Sequence, residues 1–411
     1  HKSLQNNTIG TQNSAFGFYS LSGNTTGVNN SAFGYQALLS NTTGQGNTAL
    51  GNASLRNNTI GVYNTAVASG ALYYNTTGNY NSAVGFYSLL LNTTGAYNSA
   101  FGMYAMRNNT GGVRNSAFGY GALLTNSVGT NNTAVGYLAL YTNTANDNTA
   151  VGYRSLYQNT IGTSNAAFGY SALRNNTVGG ANNAFGYGAL YTNTTGGYNN
   201  AFGHGALFNN TIASANGAFG FRALYSNTTG VSNNAFGYYA LRFNTTGGNN
   251  SAFGFYALLS NTTGNNNVAI GYNSMYSNTT GGQNTAVGRS ALQNNTIGTT
   301  NSAFGFYALL SNTTGSNNTA IGYGSLQNNT IGYNNSAFGY KSLFANTTGT
   351  YNTAIGFGTL QTNTIGVRNS AFGHAALILN TSGNNNSAFG YYALYNNTTN
   401  NNSAFGYKAL Q

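Results

Sequence analysis

The sequence predicts an all-β protein, a parallel β-solenoid of about 24 coils with a 17-residue repeat. Three observations support this prediction. The phrase NSAFG at residues 13–17 returns at residues 30–34, and close variants of it recur throughout the chain. Gly, Asn and Thr are abundant, and all three are poor helix formers. A period of 17 is also too short for the common helical repeats, which need about 33 residues or more for two helices.

The repeat can be followed from one marker position, which is Phe16 in the first coil. The marker recurs every 17 residues as Phe33, Leu50 and so on up to Phe405, except at two steps of 16 residues. We expect one continuous array over residues 1-411, with a partial coil at 1-12 and short 16-residue coils near 135-151 and 389-405. The short coils read NTANDN and NTTNNN where NTTGxxN is the rule.

The composition argues against disorder. Only 3% of the residues are charged, and the chain contains 33 Tyr and 24 Phe. Disordered chains are usually rich in charge or Pro and poor in aromatic residues, whereas this chain has no Pro. The aromatic surface is therefore sufficient to fold a regular array.

The coil is expected to separate large from small side chains, because neighbouring residues of a strand point to opposite faces. We expect the marker residues and the Leu five positions later to form the core stack, which in the first two coils is Phe16, Phe33, Leu21 and Leu38. The alternate face then carries only small residues, Ala15, Gly17, Ala32 and Gly34. Two explanations are open for that packing face. Either Gly sits at a bend and Ala in a tight corner, or the face packs flat against a neighbouring subunit or another wall of the coil.

Two Asn positions are fixed in the repeat, three residues before the marker and eight after it. Stacked coils bring equivalent side chains to about 4.8 Å, which allows amide ladders along the axis. We expect such ladders at Asn13, Asn30 and Asn47, and at Asn24, Asn41 and Asn58. N-x-[ST] sequences start at several of these residues and at some of their neighbours, so candidate glycosylation acceptors are Asn24, Asn41 and Asn57.

The sequence offers no catalytic or metal constellation, so we expect a protein that is not an enzyme and uses no cofactor. The chain has one acid, Asp147, and no Cys, which excludes paired-carboxylate hydrolysis and thiolate chemistry. Its 12 basic residues are dispersed, whereas phosphate binding needs several together. We therefore expect no nucleic-acid partner. No apolar run reaches the roughly 18 residues that span a membrane.

At NSAFG, NTAVG and NTAIGYGSL the chain resembles the head repeats of trimeric autotransporter adhesins and related repetitive surface or fibre proteins. The resemblance implies a left-handed parallel β-roll that trimerises side by side and binds host matrix or other cells. The chain departs from that pattern in its longer period, in the aromatic residue at the marker, and in lacking a neck, stalk or anchor segment.

These features favour a structural subunit of an extracellular fibre or filament, a rigid non-catalytic rod at the cell or virion surface. Its expected partners are copies of itself, in a trimer or filament. A trimeric adhesin head that binds host matrix, surface glycans or cells is the main alternative. Ice binding through the Thr residues is a weaker one, because Thr25 and Thr26 are adjacent and cannot both point out of one flat strand.

Overall fold

A computed structural model describes residues 2–411 and contains strands, turns and no helix in that range. The protein is an all-β parallel β-solenoid with 24 strands of three residues each, which confirms the predicted fold class and repeat. The strands, numbered β1 to β24 in chain order, are Ser14–Phe16, Ser31–Phe33, Thr48–Leu50, Thr65–Val67, Ser82–Val84, Ser99–Phe101, Ser116–Phe118, Thr133–Val135, Thr149–Val151, Ala166–Phe168, Asn183–Phe185, Asn200–Phe202, Gly217–Phe219, Asn234–Phe236, Ser251–Phe253, Val268–Ile270, Thr285–Val287, Ser302–Phe304, Thr319–Ile321, Ser336–Phe338, Thr353–Ile355, Ser370–Phe372, Ser387–Phe389 and Ser403–Phe405.

The chain forms two compact units, His1–His204 with β1 to β12 and Gly205–Gln411 with β13 to β24. Within each unit, successive strands pair in parallel and in register, so that Ala32 lies beside Ala15 and Ala49. This pairing places equivalent residues of adjacent coils next to each other, which is the condition for side-chain ladders. The handedness implied by the resemblance and the single array over residues 1-411 both stay predictions.

The interior of a coil is narrow and filled by small residues, Leu and amides. In the second coil Ala32, Ala37 and Leu38 are fully buried, and so are Asn30 and Asn41. The middle residue of every strand from β2 to β24 is an Ala that is at least 96% buried. A 17-residue coil therefore closes around one Leu, small side chains and two amides.

The predicted core stack was half right. Leu21 and Leu38 are fully buried, as expected, but Phe16 is 76% exposed and Phe33 is 42% exposed. The strand alternation was assigned the wrong way round, because the coil has no room for a stack of Phe rings. Ala takes the inward position and the marker side chain points outward.

The backbone turns through left-handed conformations at residues other than the ladder amides. Leu38 has φ 52° and Gln36 has φ 56°, although Gly and Asn are the residues that adopt such a conformation most readily. A left-handed conformation costs an L-residue about 1–2 kcal/mol. Full burial of a Leu side chain offsets this with about 2 kcal/mol, which explains why the corner uses an apolar residue.

The Gly after the marker is required by a close approach between coils. Gly34 has φ 141°, and a Cβ on it would lie 2.3 Å from the carbonyl oxygen of Gly51 in the next coil. The one coil without this Gly has Ala68, whose φ of 106° lies in a region that L-residues rarely adopt. Gly is thus at a bend, as one of the two explanations proposed.

Candidate interaction surface

The first Asn ladder is present as predicted. The side-chain oxygen of Asn13 accepts hydrogen bonds from the backbone N–H and the side-chain amide of Asn30, at 2.9 and 3.2 Å. The oxygen of Asn30 accepts the same pair from Asn47, at 3.0 and 3.2 Å. Each amide thus satisfies buried groups of the next coil, which anchors the strand at its start.

The second Asn ladder is also present. The side-chain amide of Asn41 donates to the side-chain oxygen of Asn24 at 2.8 Å, and Asn58 donates to Asn41 at 2.8 Å. The two ladders meet at a backbone carbonyl, because the oxygen of Gly44 accepts from Asn41 at 3.0 Å and from Asn30 at 2.9 Å. The coil interior is therefore a polar network with satisfied donors, not an apolar core alone.

Two of the three predicted glycan acceptors are wrong. Asn24 and Asn41 are fully buried and donate to carbonyl groups inside the coil, so a glycan cannot be attached without opening the coil. Asn57 is half-buried at the surface, where its side-chain oxygen accepts a hydrogen bond from Arg56. It is the acceptor that the folded chain leaves accessible.

The predicted small-residue packing face is not a surface for another subunit. Ala32 is fully buried inside its own coil, while Ala15 in the first strand and both Gly17 and Gly34 are half-buried. Of the explanations left open, packing within the coil accounts for Ala and the bend accounts for Gly. The outward surface must be sought on the other side of the strands.

That surface is formed by the first and third residues of each strand, and we call it the sheet face. In β2 these residues are Ser31, which is half-buried, and Phe33, which is exposed. The third residue is Phe, Val, Ile or Leu in every strand, and no strand residue carries a charge. Sequence reasoning missed this face because it placed the marker residues in the core.

Rings on the sheet face stack along the axis. The ring centroids of Phe168 and Phe185 lie 4.7 Å apart, and those of Phe219 and Phe236 lie 4.4 Å apart, with planes within 9° of parallel. The spacing follows the separation of the coils. Because each ring covers the face of its neighbour, the stack presents ring edges to solvent.

A second stack, the aromatic row, lies two residues after the marker. Tyr153, Tyr170 and Tyr187 follow each other at centroid distances of 4.9 and 5.0 Å. His204 continues this row by stacking on Tyr187, and His374 stacks on both Phe357 and Tyr391. A stacked position explains why the row accepts His, and no group of His and acidic residues in the described chain has the arrangement of a metal site.

The 12 basic residues lie outside the strands, and 11 of them lie over an aromatic ring. The guanidinium of Arg242 lies 4.3 Å from the ring centroid of Tyr239 and 4.8 Å from that of Phe243. Arg174 lies between the rings of Tyr157 and Tyr191, at 5.9 and 5.5 Å. Such contacts are favourable for a cation, and they replace the ion pairs that a chain with one acid cannot make.

Three local features complete the polar surface. Tyr238 and Tyr239 are neighbours, and a hydrogen bond between their hydroxyl groups raises the pKa of Tyr238 and lowers the pKa of Tyr239. The only acid, Asp147, lies in the bend between β8 and β9 and accepts a hydrogen bond of 3.0 Å from Asn131. The hydroxyl of Thr25 donates to the carbonyl of Thr42 at 3.1 Å, so it does not point to solvent as an ice-binding ladder requires.

A shallow depression of about 460 Å³ is lined by Ser3, Ala15, Phe16, Gly17 and Phe18, none of which is titratable. No helix in residues 2–411 has the length and hydrophobicity needed to cross a membrane.

The chain matches no protein-family model and no curated protein sequence.

Proposed function

We propose that this chain is a non-catalytic structural subunit of an extracellular fibre or filament that associates with copies of itself. The observation that carries the proposal is that the buried side chains all hold adjacent coils together. Leu38, the small residues and both amide ladders are committed to holding one coil to the next. The polar side chains of the interior thus bind adjacent coils to each other. The outer surface of the coils is repetitive, and such a surface is suited to association.

The composition of the surface supports the same proposal. Neither acid–base pairs nor metal-ligand groups occur in the described residues beyond the isolated Asp147. Apolar side chains that are exposed or half-buried instead repeat on the sheet face at every coil, and large exposed apolar patches mark sites of association. A chain of this kind acts through its mechanical continuity and its contacts with neighbours.

The experiment is to measure the mass of the purified chain by light scattering over a hundredfold range of concentration, with negative-stain microscopy of the same samples. We expect assemblies with a mass above that of one 42.7 kDa chain. A single-chain mass at every concentration contradicts the proposal.

The adhesin function is the second candidate, and the basic residues on aromatic rings favour it. Arg174 and Arg242 have no acidic partner and lie against aromatic rings. The chain has a formal net charge of +11, and a positive charge of this size attracts anionic glycans. Binding to a sulfated glycan surface at low salt, with loss at about 0.5 M salt, supports this function. Equal retention on an uncharged glycan surface contradicts an electrostatic mode of adhesion.

A further inference from the structure

We propose that the sheet face is a contact surface whose partner is the sheet face of a second copy of this chain. This inference rests on the proposed self-association and identifies the residues that carry it. In the second unit, Phe236, Phe253 and Phe304 are each 37–39% exposed, and Ile270 is 41% exposed. They belong to an apolar column that continues through β13 to β24 without a charged residue.

The distribution of charge selects this face over the others. All 12 basic residues lie outside the strands, in the turns and loops of the coils. A chain with a net charge of +11 repels its copies through any surface that carries those residues. The sheet face is free of that repulsion, so two copies approach each other most favourably with like faces together.

The spacing of the column selects the partner. Outward side chains repeat once per coil, at the roughly 4.8 Å separation of parallel strands. A second copy has the same repeat, so ridges of one face fit grooves of the other over the whole length of a unit. A partner with a different repeat loses this match within a few coils.

The available area is sufficient. A Phe side chain buries about 150–250 Å² when it is fully covered, so an exposure near 40%, as at Phe253, leaves roughly 80 Å². Twelve strands in a unit, together with their first residues, therefore offer on the order of 1,000 Å². A stable interface needs about 800 Å² from each partner.

A linear polysaccharide is a less suitable occupant of this face. Sugars bind aromatic side chains by stacking on the flat side of the ring. In the column, the flat sides are covered by the neighbouring side chains: Phe236 and Phe253 stack with centroids 4.9 Å apart and planes that differ by 8°, and Phe304 lies between Val287 and Ile321. Only ring edges remain, which suit interdigitation with a second apolar column.

The test compares two double variants that add the same charge to the same part of the chain. Phe236→Glu with Phe253→Glu places two charges on the sheet face. Thr246→Glu with Thr263→Glu places two charges at exposed turn positions. Circular dichroism and thermal melting identify any variant that fails to fold, and Phe236→Val with Phe253→Val provides a sheet-face variant that uses a residue natural to the column.

We expect the sheet-face Glu variant to raise the dissociation constant of the assembly at least tenfold, and the turn variant to leave it within twofold of the parent chain. An unchanged constant in a folded sheet-face Glu variant overturns the inference, while the assembly of the parent chain still supports the proposed function. A parent chain that stays monomeric overturns both.

Capture by the parent chain tests whether like faces meet. If they do, the immobilised parent chain does not retain the sheet-face Glu variant. If the sheet face binds some other face of its neighbour, the variant is still captured through that other face, and the inference is overturned. The turn variant is the control and is expected to be retained like the parent chain.

The absence of Cys gives a second measurement that needs no disruptive change. Ser251→Cys on the sheet face and Thr263→Cys at a turn each introduce a single thiol. We expect a bulky maleimide to label the sheet-face thiol at least tenfold more slowly in the assembly than in diluted monomer, with no such difference at the turn. Equal labelling of the sheet-face thiol in both states overturns the inference.

Discussion

The side-chain amide of Asn312 donates a hydrogen bond of 2.8 Å to the side-chain oxygen of Asn295, seventeen residues earlier. Asn295 in turn donates to Asn278 at 2.7 Å and to the carbonyl of Gly298 at 3.0 Å. Each rung therefore serves the coil on either side of it, and the removal of one amide leaves several buried groups without partners.

We expect Asn295→Ala to lower the free energy of unfolding by about 2–4 kcal/mol, because unsatisfied buried polar groups cost about 1–3 kcal/mol each. Urea denaturation, with hydrogen exchange to locate the weakened coil, measures the change. The adjacent Asn294 is exposed, and Asn294→Ala is the matched control, expected to stay within about 0.5 kcal/mol of the parent chain. Equal effects of the two substitutions contradict the structural role of the ladder.

The short coils predict a gain in stability from an insertion. The second ladder is interrupted at both of them, where the side-chain oxygens of Asn126 and Asn380 are buried and accept no hydrogen bond. Insertion of a Gly after Ala145 restores the 17-residue length. We expect it to raise the free energy of unfolding by about 1–2 kcal/mol, since Asn143 can then donate to Asn126. The same insertion after Thr263, in a coil of full length, is expected to destabilise.

Ala68 predicts a stabilising substitution of a different kind. Its φ of 106° is strained for an L-residue, whereas Gly adopts it freely. We expect Ala68→Gly to raise the free energy of unfolding by about 1 kcal/mol. The reverse change, Gly254→Ala, places a Cβ 2.5 Å from the carbonyl oxygen of Gly271, and we expect it to lower the melting temperature. A destabilising Ala68→Gly contradicts the assignment of strain.

The inward position of the middle strand residue predicts a sharp contrast between two neighbours. Ala252 is fully buried, so Ala252→Val overpacks the coil and is expected to cost about 1–3 kcal/mol. Ser251 points outward, and the equivalent position of the next coil already holds Val268. Ser251→Val is therefore expected to change the free energy of unfolding by less than about 0.5 kcal/mol. If Ser251→Val destabilises the chain more than Ala252→Val does, the inward position of Ala is contradicted.

Accessibility predicts the pattern of N-glycosylation in a host that performs it. We expect glycopeptide mass spectrometry of the folded, secreted chain to find occupancy at Asn57 and none at Asn24 or Asn41, which are fully buried. Removal of the sequence around Asn57 by Thr59→Ala serves as the control for that site. A folded chain with a glycan on Asn41 contradicts the buried ladder.

The periodicity of the sequence was enough to predict the solenoid, the register and both Asn ladders, because stacking at a fixed period forces identical residues together. It did not assign the two faces correctly. Size was taken as the sign of burial, which fails in a coil too narrow for Phe33. A better sign was present in the repeat itself. The position of Ala32 never varies, as a packed interior requires, while the position of Phe33 accepts Val, Ile and Leu.

The hydrogen bonds of the ladders join each coil only to the next, as Asn41 does with Asn24 and Asn58. No ladder bond depends on the total number of coils or on a distant coil. A chain that gains or loses one 17-residue repeat away from the two short coils thus keeps the same ladder contacts between its remaining coils. The number of coils can therefore change in whole units while the contacts within each remaining coil stay the same.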